Sequence, residues 1–399
     1  MKGSLDLESR DVTRVALLGR DYRGVNPELL CAEGETVSAG AALMRDARRP
    51  DIRFSAPAAG RIARIERGAR RRLVSVQIDV DDAPGSTRYD APADYTRDSM
   101  RAFMLACGVW SSLRTRPFGN IPDPDGKPAA IFITALDAEP QAPEARPVIE
   151  SFSDEFRAAT KALASISEAP LYVCHAPDHA LALEAGDRVR CVPFGGGPTA
   201  GLPGVHINAL CPIGFAGGQV WHLGYQEAIA FGHLLLHGTP WLRRVISIGG
   251  NGVTNPRCLQ VTPGADLGQL LAGELVDAAT RILAGSPLCG RPLPPGQAFL
   301  GAGQRQVTVF DISPGDTVSG HPVGGAVIPG DRLEGLAPPG IFAVPLMRAL
   351  QLGDAERARE LGALELVEED IAPLGQACVS NSDYGLLLRN VLNQIEGGR

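Results

Sequence analysis

The segment "GVWSSLRTRPFG", residues 108–119, carries the side chains best suited to holding a small flat ligand. Trp110 and Phe118 offer aromatic faces for stacking, and Arg114 and Arg116 offer planar donors to a carbonyl oxygen. The competing reading is an ordered loop held by arginine salt bridges, and the residue types leave both open. His206, His222, His233 and His237 form a histidine set. His233 and His237 stand four apart on a predicted helix, a spacing that suits a metal pair. No carboxylate lies between them and the helix is apolar around them, so packing or surface roles are preferred and no metal site is assigned. Gly195-Gly196-Gly197-Pro198 follows an apolar run, and bare backbone N–H groups can cradle phosphate. Its spacing is not a dinucleotide fingerprint, proline removes a donor, and no lysine follows, so it reads as a structural turn. There is no Gly-x-Ser-x-Gly elbow. Cys378 has no neighbouring base, and Glu365, Glu368, Glu369 and Asp370 read as a solvated charged face. No catalytic residue is assigned.

These residues need elements to position them. Short alternating segments separated by glycine and proline fill the first part: Val12 to Leu18, Ala41 to Met44, Ile52 to Ser55, Gly60 to Ile65 and Leu73 to Val80. They predict a small strand-built barrel. Ala56-Pro57-Ala58-Ala59-Gly60 and the strand after it resemble the second half of a biotinyl/lipoyl carrier barrel. The hairpin before it, Arg45 to Asp51, has no lysine, and without an amine neither biotin nor lipoic acid can be attached. After a linker over 81–95, a helix is predicted over Thr96 to Cys107. Apolar runs Ala129 to Leu136 and Pro170 to Ala176 read as buried parallel strands around a helix, Ser153 to Ser165, which Ser153 can cap. A short helical piece follows at Ala180 to Ala185. This is the grammar of an open α/β sheet, where ligands lie at loops flanking strand ends. Trp221 to His237 reads as a helix. Arg257 to Gly273 reads as strand, turn and short helix, the start of a β-grasp module. Helices are predicted over Val344 to Gln351, Ala355 to Leu361 and Tyr384 to Ile395.

The fold class is therefore α/β and multidomain, in four parts: a barrel-sandwich hybrid over 1–95, a Rossmann-like α/β domain over 96–241, a β-grasp domain over 242–312 and a helical domain over 313–399. Its 399 residues are too many for one ordinary core. A net charge of −7 and no basic stripe argue against nucleic acid. Arg67, Arg70, Arg71 and Arg72 read as a solvated hairpin end. The eight cysteines include no Cys-x-x-Cys pair, and free thiols are expected. The longest uncharged run, Cys191 to Gln226, is broken by glycine and proline, so no membrane span is expected. The start lacks the apolar core of a signal peptide.

Several long segments together, "VALLGRDYRGVNPELLCAEGETVSAGAAL", "GLPGVHINALCPIG", "VWHLGYQEAIAFGHLL", "RVISIGGNGVTNPR" and "YGLLLRNVLNQIE" among them, resemble the A-type subunits of the Na+-translocating NADH:quinone reductases. That family is related to the C-type subunits of Rnf-type complexes and, more distantly, to the flavin-carrying subunit of respiratory complex I. The resemblance implies an SLBB-like β-grasp domain and a peripheral subunit on the cytoplasmic side of the bacterial inner membrane. Its partners would be membrane and flavin-carrying subunits, which hold the flavins, iron centres and sodium path. The loop that is glycine-rich in flavin-holding relatives corresponds here to the Trp110–Phe118 segment. The cluster region has shrunk to one cysteine, Cys378, where a [4Fe–4S] cluster needs four ligands. No cofactor is therefore expected on this chain. Ubiquinone contact is expected near Trp110, Arg114, Arg116, Phe118, Gly196, His206 and His222. The stretch 311–341 is shorter than in the family, which keeps open a second reading: a paralogous, non-catalytic scaffold or adaptor of another electron-transfer complex.

Overall fold

In the computed structural model the described residues are 7–181, 183, 186–214, 218–276, 280–293, 298–311, 325–338, 340–380 and 382–398. The predicted barrel forms from two small sheets. One runs in the order Arg14–Leu18, Leu73–Val80, Gly60–Arg67, Thr36–Val37. The other is Pro27–Leu29, Ala42–Asp46, Arg49–Ser55. Leu73, Val76 and Ile78 enter the core while Asp79 points out. The lysine-free hairpin closes in two residues, Ala47 and Arg48. Asp46 is fully buried and holds it, accepting from the Asn26 N–H at 3.1 Å and from Arg49 Nη2 at 3.0 Å. Arg67, Arg70, Arg71 and Arg72 do lie exposed at a hairpin end.

The second sheet has the order Val189–Pro193, Leu171–His175, Ala130–Ala135, Val220–Gly224, Arg114–Arg116. The first four strands are parallel and the last is antiparallel. The helix Arg97–Ala106 starts at a capping box in which Thr96 and Ser99 satisfy each other's backbone N–H groups. Two expectations need correction here. Ser153 is the first helical residue and not a cap; the N-cap is Phe152, at the kink between Ala145–Ser151 and Ser153–Ser165. Trp221 to Gly224 is strand, and the helix begins at Tyr225. Every residue from Val220 to Leu223 is buried, because a core covers each face of the strand, so its apolar run mimics a helix. Of the short helix expected over 180–185, Ala182, Glu184 and Ala185 lie outside the described residues, and Ala180, Leu181 and Leu183 are not helical.

A third sheet, of six strands, is built on Arg257–Val261, Arg244–Gly249, Gln306–Asp311 and Thr280–Ala284. Its edge strand, Ser9–Arg10, comes from the start of the chain. The expected turn and short helix follow Arg257–Val261, with Asp266 capping Leu267–Leu270.

The helices Ala343–Leu352, Ala355–Glu360 and Tyr384–Gly397 match the C-terminal expectations within two residues. The helix Glu368–Ala377 begins inside the acidic run. The solvated-face reading of that run is overturned at two positions: Glu365 and Asp370 are buried, each taken up by hydrogen bonds from another part of the chain. Pro373 sits inside this helix and cannot donate to the Glu369 carbonyl. That carbonyl accepts from Cys289 Sγ instead, at 3.3 Å.

Strand alternation decides how the parts join. On the central strand Ile131 and Ile133 face one core, shared with the barrel and the third sheet. Ala130 and Phe132 face a second core, shared with the C-terminal helices.

Candidate functional site

From Ala130–Ala135 the chain moves to the next two strands on one side of the sheet. It then crosses back to lay Val220–Gly224 on the other. In an open parallel sheet that reversal leaves a crevice at the carboxyl ends of the two strands. A cleft of about 600 Å³ opens there. The strand ends supply Thr134, Asp137 and His222, the barrel supplies Arg20 to Arg23, and the antiparallel strand supplies Arg114 and Arg116. The third sheet contributes Ser286, Cys289 and Arg305, and the C-terminal helices Glu368, Glu369 and Arg389.

Ion pairs stitch these parts together around the cleft. Arg305 grips Asp137 with two nitrogens, at 2.6 and 2.9 Å. Arg244 pairs with Glu227, and Arg389 with Glu368. Arg116 Nη2 donates to Asp370 Oδ2 at 3.1 Å, both side chains being nearly inaccessible. Asp370 also accepts from the backbone N–H groups of Gly204, at 3.1 Å, and Val367, at 2.9 Å.

Arg116 has a second task. Its Nη1 lies 2.5 Å from His222 Nε2. Guanidinium can only donate, so Nε2 must accept, and the neutral ring then carries its proton on Nδ1. Burial, and after it the charges of Arg116 and Arg114, push the His222 imidazole well below its ordinary range. His222 is thus a neutral donor at the cleft wall. Three buried polar atoms of lining residues have no protein partner: Arg116 Nε, Thr134 Oγ1 and Arg23 Nε. A buried donor left unsatisfied costs about 1–3 kcal/mol, and polar atoms of a ligand in the cleft can offset that cost. The wall is rich in donors, and in it Ser286 Oγ donates to Glu139 Oε1 at 2.5 Å. It can fix and polarise carbonyl or carboxylate oxygens.

Glu227 makes the cleft acid-sensitive. Burial works to raise its pKa, but Arg244 and Arg305 overcome this and hold it down to about 2, from 4.5. A lowered folded-state pKa gives stability that is complete above about 4.5 and is lost as pH falls towards 2, roughly 3 kcal/mol in all. Glu227→Gln is expected to be less stable at neutral pH and to show a shallower loss of thermal stability between these limits. Parallel curves for the two proteins would remove Glu227 as the cause.

Of the seven residues expected at a ligand, the structure brings Arg114, Arg116 and His222 to the cleft wall. Arg114 is already occupied, donating to the carbonyls of Ser111, Leu113 and Asp21. Trp110 is fully buried, its Nε1 bonded to the Pro122 carbonyl at 2.9 Å and its ring edge-on to Trp221 at 5.4 Å. Phe118 is buried in the core shared with the C-terminal helices. Neither aromatic lines the cleft, so neither offers it a stacking face. His206 is buried on the helix Pro203–Leu210, its Nε2 bonded to the Ala200 carbonyl at 2.7 Å. Gly196 is exposed on a separate loop, with open space around it. Thr134, Asp137, Glu227, Arg244 and Arg305 went unnoticed in the sequence, and Asp370 was read as solvated. The partners of Asp137 and Asp370 are far along the chain, and only the position of Thr134 and Asp137 at the end of a buried strand gave a signal.

Three domain families match the chain: the NqrA N-terminal barrel-sandwich hybrid domain over residues 5–81, the NqrA second alpha/beta domain over 95–240 and the NQRA C-terminal domain over 245–293. The chain is 39% identical over 420 residues to the A-type subunit of the Na(+)-translocating NADH-quinone reductase of Klebsiella pneumoniae strain 342, covering 96% of this chain and 94% of that protein. Its identity to the corresponding reductase subunit of Pseudomonas aeruginosa strain UCBPP-PA14 is 36% over 425 residues, with 97% and 94% covered. Among solved structures, a chain of an NAD+-reducing NiFe-hydrogenase in the air-oxidized state aligns over 77% of this chain and 62% of its own, at a TM-score of 0.43 and 16% identity. That likeness is too slight to carry an argument.

Proposed function

Because the chain belongs to the NqrA family, the A-type subunits of the Na(+)-translocating NADH-quinone reductases, we propose that it is a peripheral subunit of such a complex, that it sits on the cytoplasmic side of the bacterial inner membrane, and that its cleft receives a quinone headgroup. Among the described residues no helix is long and apolar enough to cross a membrane, which supports attachment through partners. Flavins, iron centres and the sodium path belong to the membrane and flavin-carrying subunits in this reading. Two packing facts favour a chain without its own flavin or iron–sulfur cluster. The segment from Val109 to Leu113 is filled by Trp110 and leaves no bare backbone for a phosphate. Cys378 is buried against Ser380 and Tyr384, and no group of clustered thiols joins it among the described residues.

The observation that carries the headgroup assignment is the Arg116–His222 contact. A quinone ring presents two carbonyl oxygens and no strong donor, so its site must donate. His222, fixed as a donor by Arg116, does so at the switch point of the sheet, beside Thr134.

The test is one preparation. Purified from native membranes through a tag on this chain, the complex is expected to retain the membrane and flavin-carrying subunits. In that complex His222→Phe is expected to raise KM for a short-chain ubiquinone about tenfold, the weight of one hydrogen bond to a buried partner. NADH oxidation by an artificial acceptor should not change. A chain recovered alone, with flavin bands near roughly 370 and 450 nm, would overturn the proposal. An unchanged KM would remove the headgroup from this cleft.

A further inference from the structure

Two helices cross on the face of the α/β domain, Ser153–Ser165 and Tyr225–His237. A Cβ on Gly232 would lie 1.7 Å from the Glu155 carbonyl oxygen, so the backbones touch there, and only glycine permits it. The contact sets Glu155 beside the next helical turn, where His233 and His237 share one edge with ring centroids 4.4 Å apart. His237 Nε2 is 3.5 Å from Glu155 Oε1. One ligand atom from each of the three lies within 4.8 Å of the others, and among the described residues this is the one such group of histidine, cysteine and carboxylate side chains. The sequence set the histidine pair aside for want of a carboxylate between them. The carboxylate comes from the neighbouring helix.

We propose that Glu155, His233 and His237 form a binding site for one divalent transition-metal ion of the Zn2+ class. Two imidazoles and one carboxylate are the donor set such ions take, at about 2.0–2.2 Å each. Donors spaced about 3–3.5 Å apart satisfy those bond lengths, and the Glu155–His237 edge is already there. The rest closes by rotation of His237, whose side chain is half exposed. His237 is also the last residue of its helix, before the left-handed Gly238, where the carbonyl ends favour a cation. Three protein donors leave a fourth position for water or for a side chain of a partner. The ion pins two helices that the Gly232 contact already brings together. It lies apart from the cleft, whose lining includes none of the three residues.

The test uses the tag-free full chain, stripped with a chelator. It is titrated with Zn2+ against a chromophoric competitor, and with Co2+ for the visible spectrum. One equivalent is expected to bind, and Zn2+ is expected to raise the melting temperature. His237→Ala, an exposed position that leaves folding intact, is expected to weaken binding by about 100-fold and Glu155→Gln by about tenfold. Both should reduce the thermal shift at a fixed Zn2+ concentration, His237→Ala the more. Cys191→Ser, which removes an exposed thiol, should change nothing. No binding at all, equal binding by wild type and His237→Ala, or a Co2+ spectrum with thiolate bands that Cys191→Ser removes would each sink the site.

Discussion

Asp370→Ala is expected to cost about 3–5 kcal/mol of stability, because it strands the Arg116 charge in the interior. Three donors converge on this carboxylate: Arg116, and the backbone N–H groups of Gly204 and Val367. They come from the antiparallel edge strand, the helix Pro203–Leu210 and the turn into Glu368–Ala377, so one side chain ties the C-terminal helices to the α/β domain. Without it, Arg116 keeps its charge and loses its counter-ion, and two buried backbone donors lose their acceptor. Hydrogen exchange is the measure. Protection should fall in Glu368–Ala377 and in the Arg114–Arg116 strand, and much less in the barrel. The double variant Arg116→Met, Asp370→Leu should regain most of it, since replacing both partners of a buried pair removes the unpaired charge. A single variant within about 0.5 kcal/mol of wild type, the range of an ordinary surface substitution, would show that Arg116 finds another partner.

Trp110→Ala is expected to cost a similar amount, about 3–5 kcal/mol, as a large side chain removed from a core that cannot collapse around it. Its ring is inaccessible, meets Trp221 edge-on, and lies under the Arg101 guanidinium, 5.8 Å from the ring centroid. Arg101 in turn donates to the carbonyls of Ile166, Pro124 and Gly126. Trp110 thus belongs to a buttress beneath the sheet and not to the cleft. Denaturant unfolding followed by far-UV circular dichroism reads the loss. Trp110→Phe should recover part of it, and neither change should affect KM for quinone at temperatures where the protein is folded. A stable Trp110→Ala protein with a raised KM would restore Trp110 to the ligand.

The misreadings in the sequence share a cause. Trp221 to Gly224 looked helical because a strand covered on both faces has no alternation to show. Helix Glu368–Ala377, which contains Pro373, went unseen because its acidic start was read as a solvated face. The thiol of Cys289, about eighty positions away, takes the carbonyl that the proline frees. Glu365 and Asp370 looked solvated because charge in a row suggests water, and only the fold could deliver backbone donors to them. The histidine pair lacked a third ligand for the same reason: Glu155 is 82 residues from His237 in the chain and 3.5 Å away in space.

Local pattern alone determined the lysine-free barrel hairpin, two of the parallel strands, the first long helix and three of the C-terminal helices. Each follows from side-chain periodicity and turn chemistry within a dozen residues. The order of segments also carried the family. Tertiary structure alone decided which polar groups meet: Arg116 with His222 and Asp370, Arg305 with Asp137, Glu155 with the histidines. A hydrogen bond or ion pair depends on distance in space, and a linear chain of 399 residues does not record which distant positions its strand crossings will bring together.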